Sequence, residues 1–339
     1  MALLHYRRTD RGRWLVAAAL LLAAACVTRW LYLALIPVWG GALLLNWRLP
    51  RWRDAFAAGA AAVLVLLPQA AISLHSPYPV LDHAWVAGWS PTNAFAHTFA
   101  NVDGNFDYAE INAVFYAHPF YDSYYLAPIF APFVVLGLWR LRRKPATLAL
   151  LFGWSLLPVL FLAGIPYQNV RFPLIVFPAV AVLAGLGLEA LLSRRRAVFA
   201  ALLIGGLALT ASVARPTIDQ FIAHQNGDKA AVHWAIQAVP ATARLYTFEL
   251  TLPLRAYAPG DVRDLYDETP QTITTALADG TPSYLFVNVW VIENTWAGRG
   301  IDVTYHWMRD VVGLEYLDRI GNYLLFRIAY EDRNPTAGL

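Results

Sequence analysis

The chain has 339 residues, 58% of them hydrophobic and only 14% charged, with a formal net charge of +3. A mean hydropathy of +0.44 excludes an ordinary soluble domain, in which roughly a quarter of residues are charged. Cys26 is the single cysteine, which excludes an intramolecular disulfide, and no contiguous basic face suits a nucleic acid.

Apolar runs follow one another from the N-terminus. A membrane span needs roughly 20 residues. The runs Trp14 to Val27 and Trp30 to Trp47 are separated only by Thr28-Arg29, which fits two passes with a tight turn better than one long span. Ala55 to Ser73, Tyr125 to Trp139, Ala146 to Ile165, Phe172 to Leu192 and Val198 to Val213 bring the expectation to about seven transmembrane helices.

Basic residues set the expected orientation. Arg7, Arg8, Arg11 and Arg13 precede the first run, and Arg48, Arg51 and Arg53 separate the second from the third. Arg140, Arg142, Arg143 and Lys144 separate the fourth from the fifth, and Arg194, Arg195 and Arg196 the sixth from the seventh. These clusters occupy alternate loops, as the positive-inside rule requires. The expectation is a multi-pass protein of the cell membrane with a cytoplasmic N-terminus and an extracytoplasmic C-terminal domain. The first run does not read as a cleavable signal peptide, because the next follows at once.

The loop 74–124 is long, aromatic and rich in titratable groups: His75, Asp82, His83, His97, Asp103, Asp107, Glu110, His118 and Asp122. Loops of this length are usually functional or disordered, and the aromatic content argues for order, as short helices on the membrane surface. From Arg215 the pattern changes. Asn226 or Asp228 is expected to cap a helix ending near Ala238, before Pro240. A strand is expected at Ala243 to Glu249, a helix at Pro270 to Ala278 and a strand at Ser283 to Trp290. Glu315 to Ile320 and Tyr323 to Ile328 flank Gly321-Asn322, a two-residue hairpin signal. The expected organisation is a transmembrane domain over 1–214 and a small α/β domain over 215–339.

Several segments together carry a resemblance. Ala23-Ala24-Ala25-Cys26-Val27-Thr28-Arg29 is similar to the small-residue helix and Thr-Arg step of GT-C membrane glycosyltransferases. Asn105-Phe106-Asp107-Tyr108 through Phe115-Tyr116, then Tyr125 to Pro132, resembles a loop and following helix of those enzymes. Gln168-Asn169-Val170-Arg171-Phe172-Pro173 resembles their late helix that opens on an Arg-aromatic pair. Within the class, the chain most resembles the dolichyl-phosphate-mannose protein mannosyltransferase-like family, over nearly its whole length. The resemblance implies sugar transfer from a polyprenyl-phosphate donor to an acceptor at the outer membrane face. It also implies inversion at the anomeric carbon and a general-base Asp on the family's first extracytoplasmic loop. That loop has no counterpart here, since the Thr-Arg step falls at residue 28. The chain therefore resembles the C-terminal portion of such an enzyme: a truncated gene product, a split subunit whose partner chain supplies the missing N-terminal helices, or a degenerate relative. The rival expectation is a non-catalytic membrane scaffold or partner subunit. A transporter ranks third, because no repeat or pair of broken helices is visible.

The resemblance makes Arg29 and Arg171 the expected ligands of the donor phosphate, a role that guanidinium geometry suits. Snorkelling to the interface is the competing role. His118, Tyr121 and Asp122 are candidates for a substrate cavity, as are Tyr167 and Gln168. Asp103, Asn105 and Asp107 alternate like ligands of a divalent cation, but Tyr108 stands where an EF-hand has its glycine, so an Asx-rich turn fits better. Glu249, Glu293, Trp296 and His306 are the acceptor-contact candidates of the C-terminal domain, against a plain solvated surface.

Overall fold

The computed structural model describes residues 2–45, 49–75, 84–101, 103–192 and 195–329. Trp47, Arg48, Asp82, His83 and Arg194, named above, lie outside them. The chain divides into two units: Met1–Asn101 with Asp107–Arg215, and Val102–Phe106 with Pro216–Leu339.

The first unit is helical, and its last helix continues past Arg215 into the second. Trp52–His75, Pro145–Ala163 and Arg196–Ala238 are long and apolar enough to cross a membrane. Trp52–His75 has 24 residues, or about 36 Å of helix, against a hydrocarbon core of roughly 30 Å. Its apolar side chains are left uncovered: Val63, Leu64, Leu67 and Ile72 are all exposed, and Ala58 alone is buried. A surface of that kind is unstable in water and natural in lipid, so these helices point to a membrane protein.

The other apolar runs form shorter helices: Gly12–Thr28, Trp30–Leu44, Pro128–Leu141 and Phe177–Ala190. The seven expected runs are therefore three helices of crossing length and four shorter ones. Two runs start late for a visible reason. Trp30–Leu35 is a 3-10 turn, and the α-helix Ile36–Leu44 begins beside Pro37. Tyr125 to Ala127 is not helical; a 3-10 turn at Pro128–Phe130 leads into the helix Ala131–Leu141, again with proline in its first turn. Proline is tolerated there because its missing N–H would have had no partner.

Glycine sets one helix crossing. A Cβ on Gly137 would collide with the carbonyl of Leu183, and one on Gly187 with the carbonyl of Phe133. Ala131–Leu141 and Phe177–Leu192 therefore meet backbone to backbone, the packing that small residues permit in membrane helices.

The expected helix start at Asn226 or Asp228 is corrected. Both residues lie inside Arg196–Ala238, one helix of 43 residues that passes through Pro216. The polar segment after Val213 carries enough helix-forming residues to propagate the existing turns, and extending a helix costs less than nucleating a new one.

The second unit holds a five-stranded sheet with its strands side by side in the order 261–264, 244–247, 283–287, 323–328 and 314–320. Two short strands of the earlier loop are β1 (Thr98–Asn101) and β2 (Gly104–Asp107); the sheet comprises β3 (Arg244–Thr247), β4 (Asp261–Asp264), β5 (Ser283–Val287), β6 (Leu314–Ile320) and β7 (Tyr323–Ile328). β3 runs parallel to β4 and β5, and β7 antiparallel to β5 and β6. The Gly321-Asn322 hairpin forms, with Ile320 opposite Tyr323 and Gly321 at φ +57°. β5 is shorter than expected: it stops at Val287, and Trp290 falls in the helix Val289–Asn294. The apolar run is continuous across that boundary, so periodicity alone does not reveal the switch.

Both sheet faces are covered. Ala231, Val232 and Ala235 of the long helix pack with Leu245, Leu254 and Phe286 on one face. Ile273, Leu277, Ile292 and Met308 pack with Tyr246, Leu285 and Val287 on the other. Buried Arg244 ties the start of β3 to its surroundings, with Nε 3.0 Å from Asp261, Nη2 2.7 Å from Asp279 and Nη1 donating to the carbonyl of Ala276.

Candidate functional site

The linker after Pro145–Ala163 runs from Gly164 to Phe172 with no helix of its own, so its carbonyls need partners from elsewhere. Side chains of the preceding loop supply them. Asn93 donates to the carbonyl of Gly164, Asn101 to Pro166, and Asn112 to both Ala163 and Ile165, at 2.6–3.3 Å. Tyr116 donates to the carbonyl of Tyr167 at 2.7 Å and Tyr125 to that of Val170 at 2.6 Å. Gln168 answers in the other direction, donating to the carbonyl of Glu110 at 2.7 Å. Asn112 and Tyr116 are fully buried, and burial raises the Tyr116 hydroxyl far above its ordinary pKa, which keeps it a donor.

At the end of this clasp stand the two arginines. Arg29 is 142 positions from Arg171 in sequence, yet its Nη1 donates to the Arg171 carbonyl at 2.8 Å. The Asn169 Oδ1 accepts the Arg171 backbone N–H at 2.9 Å and shapes the turn there. Both arginines are exposed, and among the described residues no acidic side chain pairs with either guanidinium. On the helix Gly12–Thr28, which Arg29 follows directly, Leu21, Leu22 and Ala25 line an apolar cavity of ≈ 190 Å³ with Tyr32, Trp39 and Trp154. The backbone N–H of Arg29 bonds to the carbonyl of Ala25, so the cavity begins one turn from the guanidinium's own residue.

No family model, curated protein or solved structure matches this chain.

The remaining candidates are distributed as follows. Tyr167 and Gln168 belong to the clasp: the first through its carbonyl, the second through its amide. His118 pairs with Glu110, Nε2 to Oε2 at 2.8 Å, rather than with Asp122. Asp122 accepts the backbone N–H of Tyr124 at 2.7 Å and so holds a turn. Tyr121 stacks edge-on against His118, with ring centroids 5.6 Å apart. Glu110 was visible in the loop, but its eight-residue separation from His118 gave no sign of pairing.

Asp103, Asn105 and Asp107 are not presented as one cage. Asp107 meets His97 Nδ1 at 3.1 Å. Asn105 donates its amide to the carbonyl of Ala297 at 3.0 Å and accepts from Arg299 at 3.4 Å. Neighbouring Gly104 sits at φ +129°, where a Cβ would meet the carbonyl of Thr295 at 2.7 Å, so this stretch is a glycine-dependent packing segment. Among the described residues no group of His, Cys, Asp or Glu is arranged to hold a metal ion.

In the second unit Glu293 pairs with Arg309 at 3.4 Å and His306 lies 3.0 Å from Asp302. Trp296 packs edge-on against Phe248 and Tyr266, which makes it a packing residue rather than a solvated one.

Proposed function

We propose that this chain is the C-terminal part of a GT-C membrane glycosyltransferase that uses a polyprenyl-phosphate sugar, with Arg29 and Arg171 holding the donor phosphate. The observation that carries this reading is the joining of two exposed, acid-free arginines at the end of a rigid clasp. Departure of the lipid phosphate builds negative charge on its oxygens, and guanidinium groups held beside it stabilise that charge. The apolar cavity beside Ala25, on the helix that ends just before Arg29, offers the start of the prenyl chain a place. The loop 74–124 shapes the sugar and acceptor side of the site. The reading also keeps seven crossings, a cytoplasmic N-terminus and an extracytoplasmic second unit, on the charge pattern already described.

The test is transfer from a radiolabelled polyprenyl-phosphate sugar in membranes carrying the chain together with its genomic neighbours. Arg29→Ala and Arg171→Ala are each expected to lower transfer by about 100-fold. Unchanged turnover in both variants sinks the donor-phosphate assignment. Topology is tested separately: with Cys26→Ser as background, a cysteine at Arg195 should react only with a membrane-permeant maleimide, and one at Asn322 also with an impermeant one.

A further inference from the structure

The winding of the five-stranded sheet reverses at one place. From β3 the chain crosses to β4 on one side, then returns past β3 to β5 on the other. Leu250 and Leu254, just after β3, pack onto the face covered by the long helix, whereas Ile292, just after β5, packs onto the opposite face. The two connections diverge from the carboxyl ends of neighbouring parallel strands, and a crevice opens between them. Open α/β sheets place ligands at such a switch point.

Here the crevice is a cleft of ≈ 610 Å³. Glu249 lines it after β3, Asn288 after β5 and Tyr323 at the start of β7, with Asp228 and His224 contributed by the long helix. No Arg or Lys is among its lining residues.

Several observations at this cleft are unexplained by packing. Glu249 stands at φ +69°, in the left-handed region that a non-glycine residue occupies at a cost, and such strain gathers at binding sites. Partial desolvation in the cleft raises the Glu249 carboxyl above its ordinary pKa, the charge of Asp228 raises it further, and His224 only partly opposes them. The Asn288 Oδ1 is closed off from solvent and has no hydrogen-bond partner, although the residue stands where it would cap Val289–Asn294. The Tyr323 hydroxyl donates to Asp228 Oδ1 at a long 3.4 Å, and His224 Nε2 stays 3.6 Å from Asp228 Oδ2. The walls thus hold an excess of acceptors and a surplus of negative charge.

That chemistry repels phosphate and favours a cation that donates hydrogen bonds. An ammonium carries three donors and no acceptor. We propose that this cleft binds the primary ammonium group of a small hydrophilic amine, with Asp228 and Glu249 as counter-charges. The proposal invokes neither Arg29 nor Arg171, and its readout is binding rather than transfer, so it stands or falls apart from the donor-phosphate reading.

The test is isothermal titration of the full chain in non-ionic detergent and an amine-free buffer near pH 7. Ethanolamine represents a lipid headgroup and glucosamine an amino sugar, with glucose, inorganic phosphate and calcium chloride as comparisons. At least one amine is expected to bind about tenfold or more tightly than glucose, with no heat from phosphate. Whichever amine binds tighter identifies the source of the ammonium. Asp228→Asn and Glu249→Gly should each weaken amine binding by about tenfold, while Asp318→Asn on β6 should not. Glu249→Gly keeps the fold, since glycine adopts φ +69° freely, and the thermal transition of each variant checks it. Amines binding no better than glucose overturn the proposal, as do both cleft variants binding like the parent. Calcium that binds where amines do not compete overturns it in favour of a metal site.

Discussion

Arg29 gives one hydrogen bond from Nη1 to the backbone carbonyl of Arg171, not to any acidic side chain. The contact registers the two residues against each other while both positive charges survive. Replacement by lysine separates registration from charge, because an ammonium on a flexible stem lacks the planar fork. Arg29→Lys is expected to retain more transfer than Arg29→Ala but to remain about tenfold below the parent. The labelled-donor assay reads this order, and equal rates for lysine and arginine would show that charge alone matters.

Asn112 is the buried keystone of the clasp, giving its amide to the carbonyls of Ala163 and Ile165. Asn112→Ala strands both carbonyls and should cost about 2 kcal/mol. Asn93→Ala, at a more exposed position, should cost about 1 kcal/mol. Equilibrium unfolding in mixed detergent micelles measures the difference.

Two glycines on one helix make opposite predictions. Gly187 has the Phe133 backbone against it, whereas nothing approaches Gly185 within 4 Å. Gly187→Ala should destabilise the first unit by about 1–3 kcal/mol through overpacking. Gly185→Ala should be neutral, or stabilising by up to about 1 kcal/mol through helix propensity. A shared response in thermal unfolding would contradict the close crossing.

Glu249→Gly should stabilise the second unit by about 1 kcal/mol at neutral pH, by removing the left-handed strain. The charge contribution has a definite sign. A carboxyl raised in the fold is least unfavourable below its unfolded pKa, about 4.3, and becomes more so as pH rises through the folded value. Glu249→Gln, which keeps the strain and removes the charge, should therefore gain stability only above about pH 4.3. Thermal midpoints across pH 4 to 8 read both effects, and a variant less stable than the parent at pH 7 would refute them.

The Arg244 cluster has the opposite sign. Hydrogen bonding to Arg244, with help from Thr281, holds the exposed Asp279 carboxyl well below its ordinary pKa. Burial would raise Asp261, but hydrogen bonds from Arg244 and Arg263 outweigh it and lower it. Their stabilisation is complete above the unfolded value of about 3.9 and is lost as pH falls through the folded values. The second unit should lose stability below about pH 4, and Asp261→Asn with Asp279→Asn should flatten that slope. Circular dichroism melts from pH 2 to 6 would show it; an unchanged slope would place the acid sensitivity elsewhere.

Much of the architecture was legible because lipid and backbone geometry leave marks in composition. Apolar runs marked the helices from Trp52 and Pro145, and Gly321-Asn322 marked its hairpin because the turn needs a positive φ. The seven-run count treated every apolar stretch alike, while Pro37 and Pro128 delay two of the helices behind 3-10 turns. The strand end at Val287 was hidden inside an unbroken apolar run.

The sequence by itself determined that Arg29 and Arg171 end apolar runs, because a charge there can reach water or a phosphate. Only the tertiary structure decided that they meet, since their separation is closed by loop side chains reaching the carbonyls of the 163–171 linker. The same holds for His118, whose partner Glu110 was set by the fold of the loop rather than by spacing. The cleft at Glu249 was least legible of all. It exists because the connections that leave β3 and β5 turn toward opposite faces, and topology has no signature in local composition.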